Sequence, residues 1–218
     1  MSNMESLTAV QVKDMFLHVA DVVVAAKEQL CDADRNIGDG DHGIGMALGF
    51  EAARKELEAH DYEDVYAVFG TVGRTMIRVM GGASGIIFGL LFYAGAKNKP
   101  PQPRMTTAEF TEVFNQALAE IQAKGQAKPG DKTLIDGLQP MVEAMQASTA
   151  AGDGYRGMLK KAQAAAEAGK ENSKDYVARI GKAKTLGDRA IGYPDAGCVT
   201  LTVLSGAMSE WMDSNFPG

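Results

Sequence analysis

Residues 8–30 read TAVQVKDMFLHVADVVVAAKEQL, and the apolar side chains in this stretch return at every third or fourth position. The repeating positions are Val12, Phe16, Val19, Val23, Ala26 and Leu30. This spacing marks one face of an α-helix, whereas the residues of a half-buried strand would alternate at every second position. Thr8 with Gln11 three residues later matches a capping box, which predicts that the helix begins directly after Thr8.

The helical period continues through most of the chain and is interrupted by glycine- and proline-rich segments. It predicts further helices at about 46–59, 65–80, 86–96, 106–124, 134–145, 155–169, 174–185 and 198–213. Thr106 and Glu109 form a second capping box, and the prolines of NKPPQP (98–103) cannot continue a helix. VTLTVL (199–204) alternates as a strand would, but an isolated strand has no partner, so we interpret it as helical. The sequence predicts an all-α fold of eight or nine helices in a single domain, residues 1–218.

The composition is that of an ordinary water-soluble protein. With 45% hydrophobic and 23% charged residues among 218, the chain can fill a core and differs from disordered proteins. A net charge of −6 argues against nucleic-acid binding. No signal-peptide pattern is present, and the most apolar segment (86–96) is about half as long as a membrane span. Cys31 and Cys198 lack metal-binding spacing and are expected to be reduced thiols, so we predict a cytoplasmic protein.

Residues 32–46, DADRNIGDGDHGIGM, hold four aspartates whose mutual repulsion needs compensation. GDGDHG (38–43) matches the dinucleotide pattern G-x-G-x-x-G, but no hydrophobic strand precedes it and its aspartates would repel a phosphate. An EF-hand counted from Asp32 is excluded, because its sixth residue is Ile37 where glycine is required. Carboxylates around tight glycine turns suit Mg²⁺ or Ca²⁺, and the candidate ligands are Asp34, Asp39 and Asp41. The alternative is a solvated acidic turn that caps the next helix.

A metal held by three carboxylates usually shares a phosphate with another group, so a phosphate-binding loop is expected. GGASG (81–85) is the best candidate, because its glycines allow close approach and backbone N–H groups at a helix start attract anions. A tight helix–helix turn explains the same residues equally well. KPGDKT (128–133) and GYPDAG (192–197) are similar loops, each followed by a predicted helix. Four such loops suggest one end of a bundle, where helix N-termini gather around a ligand.

In the order IGDGDHG, GGASG, KPGDKT and LGDRAIGYPDAG, these motifs resemble the DAK2 domain family, the nucleotide-binding L subunits of dihydroxyacetone kinases. The resemblance covers residues 10–210 and implies a barrel of eight antiparallel helices with ADP or ATP at one end. It implies that two Mg²⁺ ions bind to the three aspartates. It places the nucleotide phosphates against His42, Gly43, Ile44, Gly45, Ala83 and Ser84. It places the base and sugar beside Gly125, Leu134, Lys182, Asp195, Ala196 and Gly197.

Two positions depart from the family pattern. Gly45 stands where some relatives have Asn, so a side-chain contact to phosphate is not expected there. Lys182 stands where some relatives have Arg, which replaces a planar guanidinium fork by a point charge. Both changes bear on how tightly the nucleotide is held.

The resemblance implies an enzyme subunit that transfers a phosphoryl group to dihydroxyacetone, with no catalytic side chain evident in this chain. In the family, the ketone is bound covalently to a histidine of a separate K subunit, so such a partner is expected. His18 and His60 are better suited to packing and to a solvated helix end. The phosphoryl donor is either free ATP or a phosphotransferase-system protein that recharges bound ADP. Two alternatives remain: a nucleotide-binding regulatory module that transfers nothing, and a kinase subunit for another ketose such as erythrulose.

Overall fold

Helix follows helix along residues 4–217, the part of the chain that the computed structural model describes. Within it lie two strands of three residues, β1 (Ser6–Thr8) and β2 (Arg104–Thr106), and nine α-helices. The helices are α1 (Ala9–Ala25), α2 (Lys27–Arg35), α3 (His42–Glu58), α4 (Val65–Met80), α5 (Gly82–Tyr93), α6 (Thr107–Gly125), α7 (Ile135–Ala151), α8 (Gly154–Asn172) and α9 (Ala196–Asn215). The predicted all-α fold is confirmed.

Eight helices close into a ring in which each packs against the next. The order around the ring is α1, α3, α4, α5, α6, α7, α8 and α9, and α9 packs on α1. The short helix α2 packs on α3 and α9. Short connections make consecutive helices antiparallel. The connections at Gly81 and at residues 36–41, 126–134 and 173–195 therefore share one end of the ring, which we call the open end.

Aromatic side chains from several helices meet inside the ring. The rings of Phe16 and Phe69 lie 4.8 Å apart between centroids, and Phe16 also meets Phe92 at 5.4 Å, both edge to face. Phe69 in turn contacts Phe110, which contacts Tyr155. This continuous series joins α1, α4, α5, α6 and α8, so the hydrophobic core holds the ring closed.

A small antiparallel ribbon lies at the opposite end of the ring, which we call the closed end. Leu7 of β1 pairs with Met105 of β2. The Tyr155 hydroxyl donates to the Met105 carbonyl at 2.8 Å, and the Tyr155 N–H donates to the Met4 carbonyl at 2.9 Å. No sequence pattern predicted these two strands, because a three-residue ladder carries too little alternation to be visible.

Two predicted helices also differ from the structure. The stretch 8–30 breaks at Ala26, where φ is −80° and ψ is 4°, and α2 then continues to Arg35. Instead of a helix near 174–185, the chain forms 3₁₀ turns at Ser173–Asp175 and Lys182–Ala190. Gly181, with φ 74° and ψ −167°, separates the two turns inside the predicted range, and Gly187, with φ 54° and ψ −131°, interrupts the second turn, so a regular helix cannot form.

Other expectations are confirmed by the described residues. Residues 199–204 are helical and lie inside α9. Both capping boxes are formed, at Thr8 and at Thr106. Cys31 and Cys198 are buried free thiols. No helix within residues 4–217 has the length and apolar character needed to cross a membrane.

Candidate functional site

Three carboxylates converge at the open end. Asp34 lies in the last turn of α2, whereas Asp39 and Asp41 lie in the turn that leads into α3. One carboxylate oxygen from each side chain lies within 4.8 Å of the other two. Asp34 is only 9% exposed, and Asp39 and Asp41 face solvent. The structure therefore brings together the three side chains that the sequence grouped as metal ligands.

Backbone hydrogen bonds to Asp34 hold this turn in shape. The Gly40 N–H donates to Asp34 Oδ2 at 2.8 Å, and the Gly38 N–H donates to the Asp34 carbonyl at 2.6 Å. Gly40 has a φ of 77°, a conformation that residues other than glycine adopt at a cost. An added methyl at Gly38 would overlap the Asp34 carboxylate. Both glycines are thus needed to fold the turn tightly around one carboxylate.

Lys182 brings a cation to this cluster from the connection between α8 and α9. Its ammonium Nζ lies 2.6 Å from Asp39 Oδ2 and 3.5 Å from Asp41 Oδ1. The hydrogen bond from Lys182 lowers the pKa of Asp39, and the same bond raises the pKa of Lys182. The exposed carboxylates therefore attract positive charge at the position where a metal ion was predicted.

His42, the first residue of α3, joins two other helices of the open end. Its Nε2 lies 2.7 Å from the Thr200 hydroxyl of α9, and its ring lies 5.7 Å from the Phe88 ring of α5. The Thr200 hydroxyl donates to the Ala196 carbonyl at 3.2 Å, so it accepts from His42 Nε2–H. Burial lowers the pKa of His42, which favours the neutral ring with its lone pair on Nδ1.

Three helices that begin at the open end, α3, α5 and α7, have no capping hydrogen bond from the side chain of their N-cap residue, and α3 and α5 adjoin the carboxylates and His42. α3 begins after Asp41 and α5 begins after Gly81, and neither residue accepts a capping hydrogen bond. Other helices are capped, α9 at the open end by Asp195 and α1, α4 and α6 at the closed end by Thr8, Asp64 and Thr106, whereas α8 is not. Uncapped N–H groups and the helix dipole attract anions. His42 to Gly45 and Ala83 to Ser84, the predicted phosphate contacts, lie in these two first turns.

The turn into α5 requires glycine because of its backbone angles and not because of limited space. Gly81 and Gly82 have φ angles of 65° and 60°, and an added methyl at either position would touch no neighbour. Ala83 and Ser84 are exposed in the turn that follows. Phe88, one turn further along α5, is the residue that contacts His42, so the two first turns belong to the same site.

Five of the six residues predicted to surround the base and sugar lie at the starts of α7 and α9 and at the end of α6, whereas the sixth, Lys182, lies against Asp39 and Asp41. Gly197 sits against Leu134, since a methyl on Gly197 would lie 3.2 Å from Leu134 Cβ. Asp195 caps α9 by accepting from the Cys198 N–H at 2.9 Å, and burial raises its pKa to about 6. At the end of α6, a methyl added to Gly125 would lie 3.9 Å from Ile87 Cδ1 of α5.

The sequence did not reveal some residues that shape the site. Thr200 and Phe88 reach His42 only because three helices meet, although each lies one helical turn after a predicted residue, Ala196 and Ser84. The other two histidines do not belong to the cluster of Asp34, Asp39 and Asp41. His60 is exposed and bonds the Glu56 carbonyl at 3.0 Å, and His18 Nε2 lies 3.6 Å from Glu210 on α9.

Comparisons with known proteins point to one family. The model of the DAK2 domain matches residues 36–210. The ADP-binding subunit DhaL of the PEP-dependent dihydroxyacetone kinase of Escherichia coli (strain K12) is 31% identical, over 90% of this chain and 93% of its own. The DhaL subunit of dihydroxyacetone kinase 1 of Listeria innocua is 34% identical, over 84% of this chain and 87% of its own. The D-erythrulose kinase of Mycolicibacterium smegmatis is 28% identical over 88% of this chain, which spans 33% of that protein.

A solved structure shares the fold. The crystal structure of the dihydroxyacetone kinase from C. freundii in complex with AMP-PNP and Mg²⁺ aligns with a TM-score of 0.72 at 24% identity. The alignment covers 95% of this chain but 35% of that larger chain. The ring of eight helices is therefore a fold already seen inside a longer kinase.

Proposed function

Because the chain belongs to the DAK2 domain family, we propose that it is the nucleotide-binding subunit of a dihydroxyacetone kinase. The relatives described above are kinases, which confirms the prediction of a phosphotransferase. The observation that carries the proposal is the cluster of Asp34, Asp39 and Asp41 beside two uncapped helix N-termini. That combination suits a nucleotide whose phosphates are bridged by metal to the protein.

The three carboxylates fit Mg²⁺ in chemistry and in charge. Hard oxygen ligands in small number are usual for Mg²⁺, which keeps several positions for water and phosphate oxygens. The Lys182 ammonium between Asp39 and Asp41 supports the assignment, because a cation already occupies that place. We propose two ions, as the family resemblance implies. When bound, Mg²⁺ would neutralise charge on the nucleotide phosphates and on the transferred group.

The chain's own residues would position the nucleotide around this centre. His42 to Gly45 and Ala83 to Ser84 would line the phosphates, since neither helix start is capped by a side chain. In α3 the Ile44 and Gly45 N–H groups already donate to the Asp41 carbonyl, so the N–H groups of His42 and Gly43 would bind phosphate oxygens there, with those of Ala83 and Ser84 in α5. Lys182 was expected beside the base and sugar, but its position against Asp39 and Asp41 suits a different role, in which it would pair with phosphate once a metal ion replaces it at the carboxylates. The remaining residues would enclose the base and sugar; these are Gly125, Leu134, Asp195, Ala196 and Gly197.

The acceptor sugar would come from a partner. Transfer requires the acceptor hydroxyl to be held in line with the phosphate, because positioning supplies much of the rate. His18 and His60 both lie away from the carboxylates, so neither offers a covalent ketone site here. We therefore propose a dihydroxyacetone-binding K subunit that covers the open end. Erythrulose is the alternative acceptor, suggested by the D-erythrulose kinase among the relatives.

The test is a reconstitution with defined arms. The purified chain is incubated with Mg²⁺ and dihydroxyacetone, with ATP or a phosphotransferase-system donor, and with or without the K subunit. We expect sugar phosphate only when the K subunit is present. Mass spectrometry for retained ADP then separates the two donors, because a protein-recharged subunit keeps ADP bound. Product from the chain alone would contradict the two-subunit proposal, and bound nucleotide without product in every arm would favour the regulatory alternative.

A further inference from the structure

Lys132 is a buried lysine in the connection between α6 and α7. Only 1% of it is exposed, and its backbone has a φ of 60°, in the left-handed region. Burying an ammonium group is costly unless hydrogen bonds and opposite charge compensate for lost water. The hydrogen-bond partners of the Lys132 ammonium group therefore indicate its structural role.

The ammonium group of Lys132 joins the two ends of one loop. Its Nζ donates to the Ser173 carbonyl and to the Tyr193 carbonyl, each at 2.6 Å. These carbonyls bracket residues 174–192, which we call the 174–192 loop. The Gly192 N–H donates to the Lys174 carbonyl at 2.8 Å, directly beside the two acceptors. One buried cation thus closes the base of a loop of about twenty residues.

The backbone around Lys132 is itself held by carboxylates. Asp136 accepts from the Gly130 N–H at 2.5 Å and from the Thr133 N–H at 2.7 Å. Asp131 accepts from the Lys128 N–H at 2.9 Å through its side chain. These bonds fix the direction in which Lys132 projects. The nearby charges of Asp195 and Asp136 favour the ammonium form of Lys132, against the burial that lowers its pKa.

The 174–192 loop carries candidate site residues at its tip and directly after its base. Lys182 reaches Asp39 from the tip. After the base, the Asp195 N–H donates to the Ser173 hydroxyl at 3.0 Å, and the turn of Asp195 to Gly197 opens α9. The position of both parts depends on how firmly Ser173 and Tyr193 are held together.

We propose that Lys132 is a positioning residue that holds the 174–192 loop closed at its base, so that Lys182 and the Asp195–Gly197 turn keep their places around the nucleotide. The inference rests on the proposed function, because it assumes that the nucleotide binds at the open end. Lys132 would not itself touch the nucleotide. Its effect would pass through two backbone carbonyls.

The test compares Lys132→Met with Lys184→Met. The first substitution keeps a side chain of similar length but removes the ammonium group that donates both hydrogen bonds. Lys184 is an exposed lysine of the same loop. Mg²⁺-ADP affinity is measured well below the melting temperature, with hydrogen–deuterium exchange of the free protein. We expect Lys132→Met to weaken affinity about tenfold, the scale of one charge-assisted hydrogen bond, and to speed exchange in residues 174–192 while exchange in α1 and α4 stays unchanged. Lys184→Met should match the wild type.

Rescue and a second variant keep the inference testable. Lys132→Arg retains a buried cation with several donors, so it should recover part of the affinity. If Lys132→Met fails to fold, Ser173→Ala loosens the same base by removing the acceptor of the Asp195 N–H, and it should show the same pattern more weakly. Wild-type affinity with unchanged loop exchange in the folded variant would overturn the inference. A wild-type protein that binds no nucleotide would instead refute the proposed function.

Discussion

Asp39 and Asp41 are the residues on which the proposed metal site depends most directly. We expect Asp39→Asn or Asp41→Asn to weaken Mg²⁺-ADP binding by at least about tenfold, because even groups that only support a metal ligand contribute that much. Neither carboxylate accepts a helix-capping bond, so the helical circular dichroism should stay unchanged. Binding is measured by isothermal titration calorimetry.

Asp32→Asn is the matched control for these two variants. Asp32 belongs to the same acidic stretch but is exposed and pairs with Arg35, outside the carboxylate cluster. Its substitution should leave Mg²⁺-ADP affinity at the wild-type value. Wild-type Mg²⁺-ADP affinity in all three variants would show that the three carboxylates do not bind the nucleotide through a metal ion. The acidic stretch would then be a solvated turn.

Asp195 gives a prediction about pH. Its pKa is about 6 in the folded protein against an ordinary value of 3.8, because the carboxyl is buried. Between these values the unfolded chain releases the proton first, so the free energy of unfolding should fall as pH rises from about 4 to about 6. The loss is at most about 3 kcal/mol.

Asp195→Asn isolates this contribution, since Asn is also a good helix N-cap and does not ionise. The free energy of unfolding is measured by urea denaturation of both proteins at several pH values. The wild type should lose stability relative to the variant between pH 4 and 6, and no further above that. A constant difference across this range would contradict the raised pKa.

Single residues were predictable from sequence where local chemistry sufficed. Asp34, Asp39 and Asp41 stand out because glycines between them permit a tight turn. Thr200 and Lys132 do not, because a threonine in an apolar helix and a lysine in a loop look ordinary until distant elements meet. Their roles arise from tertiary contacts alone.

At the scale of elements, the packing of α3 on α2 is a second requirement of the site. A methyl at Gly43 would overlap the Lys27 carbonyl and lie 2.8 Å from the Cys31 N and Sγ atoms. We expect Gly43→Ala to destabilise the protein by about 1–3 kcal/mol, as overpacking usually does. Asp34 would be displaced with α2, so Mg²⁺-ADP binding should weaken as well.

Gly45→Ala provides the comparison within the same helix. Its added methyl would meet only Met80 Cε, at 3.9 Å, which is ordinary contact. Alanine favours a helix more than glycine does, so stability should be unchanged or raised by up to about 1 kcal/mol. Thermal unfolding of the two variants measures both effects, and an equal loss of stability in both would show that crowding against α2 is unimportant.

Elements were predictable where the apolar period was strong. The two capping boxes mark the starts of α1 and α6 correctly. The break between α1 and α2 at Ala26 could not be predicted from the sequence, because the apolar spacing continues across it. The predicted helix near 174–185 was wrong, since Gly181 has a positive φ and Lys182 pairs with the distant Asp39, and the apolar period reports neither feature.

For the molecule as a whole, we expect stability to depend on nucleotide and metal together. Saturating ADP with Mg²⁺, at about a hundred times its dissociation constant, stabilises the folded state by roughly 2.7 kcal/mol. For a domain of this size that corresponds to a rise in melting temperature of about 5–10 °C. ADP with a chelator should give little change. Equal shifts with and without Mg²⁺ in differential scanning fluorimetry would contradict a bridging metal.

The fold class followed from periodicity, but closure of the ring did not. Apolar spacing shows that each helix has a buried face without showing which helix it meets. The contact of α9 with α1 joins residues that are far apart in sequence, as in the hydrogen bond from Trp211 Nε1 to Asp14 at 2.8 Å. Local patterns predicted eight or nine helices and loops gathered at one end, but only the family resemblance supplied the expectation that eight helices close into a barrel.

In a closed ring of helices, the chain could begin at any helix without changing which helices are neighbours. Trp211 lies level with Asp14, so the end of α9 and the start of α1 are neighbours at the closed end. A circular permutant could join them by a linker and begin instead at the turn between α7 and α8, around Gly152 and Asp153. All eight pairings of neighbouring helices would survive in such a chain, and the open end would be untouched. The order of helices around the ring, and not the point at which translation starts, is what specifies this site.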